Sequence, residues 1–187
     1  MRMKVIFAAV AGLMLAGAAF AQGPAPNFSG HWELDTSKSK LDERARIQSM
    51  TLDVTQTATD IKVDTKTTRA PRPEGAPGGQ GGGMGRGGGG AGFGGGDNSA
   101  TYTLDGKETS VDQQGPNGPI PAKFKGNVDG GKLHLSKSST FTGQMGEVTV
   151  STKDTWTLSD DGKTLTVERE QTTPRGSNSS TLVFVKK

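Results

Sequence analysis

Apolar and polar residues alternate with a period of two through most of the chain, and turn residues interrupt the alternation at short intervals. Ten stretches carry the pattern, near 30–35, 48–57, 60–70, 99–105, 108–113, 121–128, 132–142, 146–159, 163–172 and 179–186. They are rich in Thr and Val, which suit a pleated, half-buried surface. One polar stretch, Lys40–Arg46, is the single predicted helix, and it is short. Turn chemistry is explicit at Asp105-Gly106, Asp129-Gly130-Gly131, Gly143–Gly146 and Asp160-Asp161-Gly162.

Opposed residues in a hairpin share a face, so a register can be judged by whether it gathers the apolar side chains together. A turn at Asp161-Gly162 sets Leu158 opposite Leu165 and Trp156 opposite Val167, and continues to Asp154 opposite Arg169. A loop at Gln144-Met145 sets Phe141 opposite Val148, Leu135 opposite Asp154 and Leu133 opposite Trp156. A turn at Thr57-Ala58 sets Val54 opposite Ile61 and Leu52 opposite Val63. These hairpins agree on one apolar face. Such a series predicts an all-β fold, an up-and-down antiparallel β-barrel of about ten strands that closes and leaves no edge.

The first 21 residues stand outside this pattern. Met1–Ala21 has a short basic start (Arg2, Lys4), an apolar run from Val5 to Ala19 and Ala19-Phe20-Ala21 as a small-x-small cleavage site. It reads as a signal peptide cut after Ala21, so the chain is expected to be secreted or periplasmic, with no membrane span once the leader is gone. Its removal also changes the charge, from 22 bases against 19 acids to 20 against 19. A nearly neutral mature chain argues against nucleic acid or an anionic membrane as partner. There is no Cys, which excludes disulfides, thiolate metal sites and a cysteine nucleophile. The remaining residues, 22–187, are expected to form one domain around a hydrophobic core.

A low-complexity stretch from Pro71 to Gly96 interrupts that domain. Gly fills 15 of the 22 positions from Gly75 to Gly96, too little apolar surface to offset the entropy of ordering them. The segment over 71–98 is expected to be a disordered Gly-rich loop. Its G-x-G-x-x-G matches carry no weight, because no strand-to-helix junction surrounds them.

At Phe28-Ser29-Gly30-His31-Trp32-Glu33-Leu34 the first strand shows a Gly-x-Trp, and Thr101–Lys107 and Asp154–Glu168 look like a middle and a closing hairpin. In these features the chain resembles bacterial exported lipocalin-like and fatty-acid-binding-protein-like (calycin) barrels. The resemblance implies a barrel that holds a small apolar or amphipathic molecule, with Trp32 plugging one end. Two features depart from it: Leu182-Val183-Phe184 stands where fatty-acid-binding proteins carry an Arg-x-Tyr pair, and about a dozen residues between the first two strands leave no room for a helical lid.

The sharpest chemical signal is Asp154 with Arg169 on the inward face, joined by Thr152, Gln171 and Lys137. The pair is either a polar anchor that orients a ligand or a structural ion pair near the mouth. Candidate ligand-binding residues are Tyr102, Phe124, Leu135, Asp154, Trp156, Arg169 and Phe184; Trp156 either fills the core or lines a pocket. His31 and His134 point outward, Glu168 and Glu170 alternate outward around Arg169, and no Ser stands in a nucleophile elbow, so neither catalysis nor a metal or cofactor is expected. The expected role is binding of a small apolar or amphipathic ligand inside the barrel. Its rival is a structural or interaction protein of the cell envelope with a solid core. An interior cavity of about 300 Å3 or more distinguishes the first from the second.

Overall fold

The computed structural model describes residues 26–42, 45–71, 97–115, 118–143 and 146–187. The predicted leader and most of the Gly-rich segment, 72–96, lie outside them. Ten antiparallel strands form one sheet: β1 Gly30–Leu34, β2 Ile47–Gln56, β3 Asp60–Arg69, β4 Asn98–Thr103, β5 Asp105–Gly115, β6 Gly118–Asp129, β7 Lys132–Gly143, β8 Gly146–Leu158, β9 Thr164–Thr173 and β10 Gly176–Lys186. Their spatial order is β4-β3-β2-β1-β10-β9-β8-β7-β6-β5, so every neighbour in sequence is a neighbour in space except β4 and β5, while β1 joins β10. This is an all-β, up-and-down antiparallel barrel of ten strands, as the alternation predicts.

The predicted registers of β8 with β9 and of β7 with β8 hold residue for residue, including Asp154 opposite Arg169 and Leu135 opposite Asp154. The β2–β3 register is corrected by two residues: Val54 faces Val63 and Gln56 faces Ile61. The reason is a wider turn, in which the Thr57 amide donates to the Asp60 carbonyl at 2.8 Å and the Asp60 amide donates to the Thr57 hydroxyl at 3.0 Å. A shift of two preserves which face each side chain takes, so the core is the predicted one.

Closure is the second correction. Asp105-Gly106 does not fold β4 back on β5 as a ladder; the two strands end the sheet on opposite sides of a seam. The Leu104 amide donates to the Thr59 carbonyl at 2.7 Å, Gly106 turns the chain at φ 75°, and β5 then pairs with β6. Side chains close the seam instead. Tyr102 of β4 meets Phe124 of β6 edge-on, with ring centroids 5.4 Å apart. Gly126 permits this approach, because a Cβ there would come within 2.8 Å of the Thr103 carbonyl oxygen. Gly126→Ala is therefore expected to lower stability by about 1–3 kcal/mol through overpacking of the seam. An unchanged urea midpoint would show that the seam yields at no cost.

The predicted helix at Lys40–Arg46 is the third correction, since its described residues hold no α-helix. Lys40 instead bridges to Thr181, with N–H···O bonds of 2.7 and 2.9 Å in the two directions. Strand-like pairing with β10 outcompetes a short polar helix. Just before it, the Ser37 hydroxyl donates to the Asp35 carboxylate at 2.6 Å and Lys38 pairs with the same group at 3.1 Å. The Ser37 bond, then Lys38, hold the Asp35 carboxyl at about 2, below its ordinary 3.8. A folded-state value below the unfolded one stabilises the fold above about pH 4, and that contribution is lost as pH falls from 3.8 toward 2. An NMR titration should find Asp35 still ionised at pH 3; a midpoint near 3.8 would remove this turn from the account.

The inward positions form rows around the barrel. One end is apolar and solid. Its rows run Leu158–Leu165–Phe184 and Leu133–Trp156–Val167–Leu182. Trp32 fills the centre of that end with none of its surface exposed, and its Nε1 donates to the Phe28 carbonyl at 3.0 Å. Phe28, equally buried, stands edge-on to Trp156 with centroids 6.1 Å apart. Gln56 ties this segment down, accepting from the Phe28 amide at 2.8 Å and donating to the Pro26 carbonyl at 3.1 Å.

Candidate functional site

Further along the same strands the inward side chains change from apolar to polar. The next row is Leu135–Asp154–Arg169–Ser180, and the one after it is Lys137–Thr152–Gln171–Asn178. On the facing wall, Leu52 pairs with Thr65 and Thr65 with Asn98, while Met50 pairs with Thr67. These two walls enclose a cavity of about 320 Å3, partly open to solvent, with Leu41, Asp42, Ala45 and Ile47 also in its lining.

Arg169 Nε donates to Asp154 Oδ1 at 2.8 Å and Nη2 donates to Oδ2 at 2.6 Å, a two-bond pair inside the barrel. The Asp154 side chain is 11% accessible and that of Arg169 33%; both line the cavity, so water reaches Arg169 there although it lies deep in the barrel. Burial opposes the Arg169 charge, but the Asp154 carboxylate outweighs it and raises the guanidinium pKa. Tyr102, on the opposite wall, has its phenol pushed well above the usual tyrosine value, first by burial and then by the Asp154 charge. Lys137 is 6% exposed, its ammonium stands 5.5 Å from the centre of the Phe124 ring, and burial lowers its pKa.

The structure thus brings together four of the seven candidate residues, Tyr102, Leu135, Asp154 and Arg169, with the polar neighbours Thr152, Gln171 and Lys137. Trp156, Phe124 and Phe184 are placed elsewhere. Trp156 and Phe184 belong to the solid end, 2% and 1% exposed, and Phe124 packs under the seam against Tyr102. Thr65, Thr67, Asn98, Asn178 and Ser180 line the cavity without having been candidates. Their signal was present: continuing the β9–β10 ladder past Gln171 reaches Asn178, and the parity of Val63 reaches Thr65 and Thr67. His134 sits between two inward residues and so faces outward, within 3.3 Å of the Thr155 hydroxyl, and His31 pairs with Asp53 on the outer surface. Among the described residues, no group of three or more His, Cys, Asp or Glu is placed to hold a metal ion.

Fold and site together define a nearly closed up-and-down β-barrel with an apolar, solid end and a polar-walled cavity above it. No protein-family model and no curated protein matches the sequence. Among solved structures, the chain is similar to zebrafish ileal bile acid-binding protein complexed with cholic acid, with 14% identity over 86% of this chain and 98% of that one, and a TM-score of 0.46.

Proposed function

We propose that this protein is an exported, non-enzymatic binding protein that takes a small amphipathic molecule into the half of the barrel above the Trp32 end. The observation that carries this reading is the cavity of about 320 Å3, partly open, in a barrel whose other end is solid. That volume falls at the lower end of the roughly 300–1,000 Å3 range of small-molecule sites. A solid-core structural protein would fill this space with side chains. Polar groups dominate the upper walls and Met50, Leu135 and Leu182 add apolar contact, so the occupant carries both a polar and an apolar part. Export rests on the leader sequence of Met1–Ala21.

Both parts of the reading meet one preparation. Protein recovered from the producing cells should begin at Gln22 by intact mass, and should bind an environment-sensitive amphipathic dye at one site per chain. Retention of Met1 would refute export. Absence of saturable dye binding would favour the envelope-structural reading.

A further inference from the structure

We infer that the polar part of the ligand is an uncharged, hydroxyl-rich group of the sugar or polyol kind, and that the cavity discriminates against acids and amines; this rests on the cavity being a ligand site. Of the charged groups that line the cavity, Asp154 and Arg169 are committed to one another, and the others are held or screened by uncharged surroundings. Arg169 spends Nε and Nη2 on both oxygens of Asp154. The pair is neutral as a whole, so it offers a ligand carboxylate no net charge, and an acid drawn to the remaining N–H groups of the guanidinium is brought beside the Asp154 carboxylate. The Lys137 ammonium is turned onto the Phe124 ring and enclosed there. Asp42 accepts from the Asn178 amide at 3.0 Å. Arg69 stands exposed at the edge of the lining, where solvent screens its pull.

What the walls present otherwise is neutral. Thr65, Thr67, Thr152 and Ser180 bring hydroxyls, and Asn98 and Gln171 bring amides. Each of these groups both donates and accepts, so it matches a ligand hydroxyl in either sense. A carboxylate can only accept and an ammonium can only donate, so either uses one half of what these groups offer, whereas a ligand hydroxyl uses both. The hydroxyl of Thr67, a half-buried residue of the cavity lining, is enclosed and has no hydrogen-bond partner among the described residues. A buried polar atom of that kind calls for a partner that the protein itself does not supply.

Three probes with one tail and different heads test this: n-octyl β-D-glucoside, octanoate and octylamine, each titrated calorimetrically into the leaderless protein below its critical micelle concentration. The glucoside should bind one per chain, at least about tenfold tighter than either ion, the ratio expected when buried polar groups lose their partners. Thr67→Val, which keeps the shape, should weaken the glucoside by about fivefold, one hydrogen bond's worth, without lowering the melting temperature of the ligand-free protein. Octanoate or octylamine binding as tightly as the glucoside overturns this inference and leaves the carrier reading standing. An unchanged glucoside affinity in Thr67→Val overturns the placement of the head on this wall. Binding by none of the three overturns the carrier reading as well.

Discussion

Arg169→Met should destabilise the barrel by about 3–5 kcal/mol, the cost of removing one partner from a buried ion pair. The Asp154 carboxylate left behind is only 11% accessible and would lie in a mostly enclosed space without its cation. Asp154→Asn should cost less, at or below the low end of the same ~3–5 kcal/mol range. The guanidinium left behind is 33% accessible through the cavity, so water can take over part of the solvation that Asp154 provided. The double change Asp154→Leu with Arg169→Met should recover much of the loss, because apolar replacement of a buried pair is often neutral or better. Urea unfolding of the parent, Asp154→Leu, Arg169→Met and the double variant closes the cycle and measures the coupling directly. Additive single changes would place the pair in effective contact with solvent and make it a rim feature.

Trp32→Ala should rank beside it, at about 3–5 kcal/mol for a fully buried tryptophan. Trp32 has no exposed surface, occupies the centre of the solid end and lies under the Lys186 ammonium, 5.2 Å from its ring. The change also strips the Phe28 carbonyl of its donor and loosens Phe28 from Trp156. Trp32→Phe separates the two effects: it keeps most of the volume and removes the Nε1 bond, and should cost about 1–3 kcal/mol. Because Trp32 is not part of the cavity lining, ligand affinity in Trp32→Phe should stay within a factor of two or so of the parent. A large loss of binding with little loss of stability would make Trp32 a ligand contact.

The alternation alone was enough for the strand count and the inward face, because a hairpin register is a local quantity and a slip of one residue would expose Leu133, Trp156 and Val167 at once. It was enough for the Asp154–Arg169 pair for the same reason. The seam was not legible, since whether β4 pairs with β5 depends on where Leu104 is anchored, on the Thr59 carbonyl across a different hairpin. The short helix failed because Lys40 finds its partner in Thr181, far along the chain. Trp156 and Phe184 share the inward face with Asp154 but not the cavity lining, and a shared face does not separate the solid end from the cavity. That separation comes from rows, and the row of Trp156 runs through Leu133, Val167 and Leu182 while that of Asp154 runs through Leu135, Arg169 and Ser180. Facing walls are further still from sequence, which is why Thr67 and Asn98 emerged only with the barrel assembled.

The central claim is that the cavity above the solid end receives a small molecule. Native mass spectrometry of the protein taken from its own cells, before and after extraction with organic solvent, meets it directly. The account predicts one additional mass per chain that extraction removes, and competition between that molecule and the octyl glucoside. A chain that carries only its own mass, and that takes up neither the amphipathic dye nor the glucoside, would contradict it.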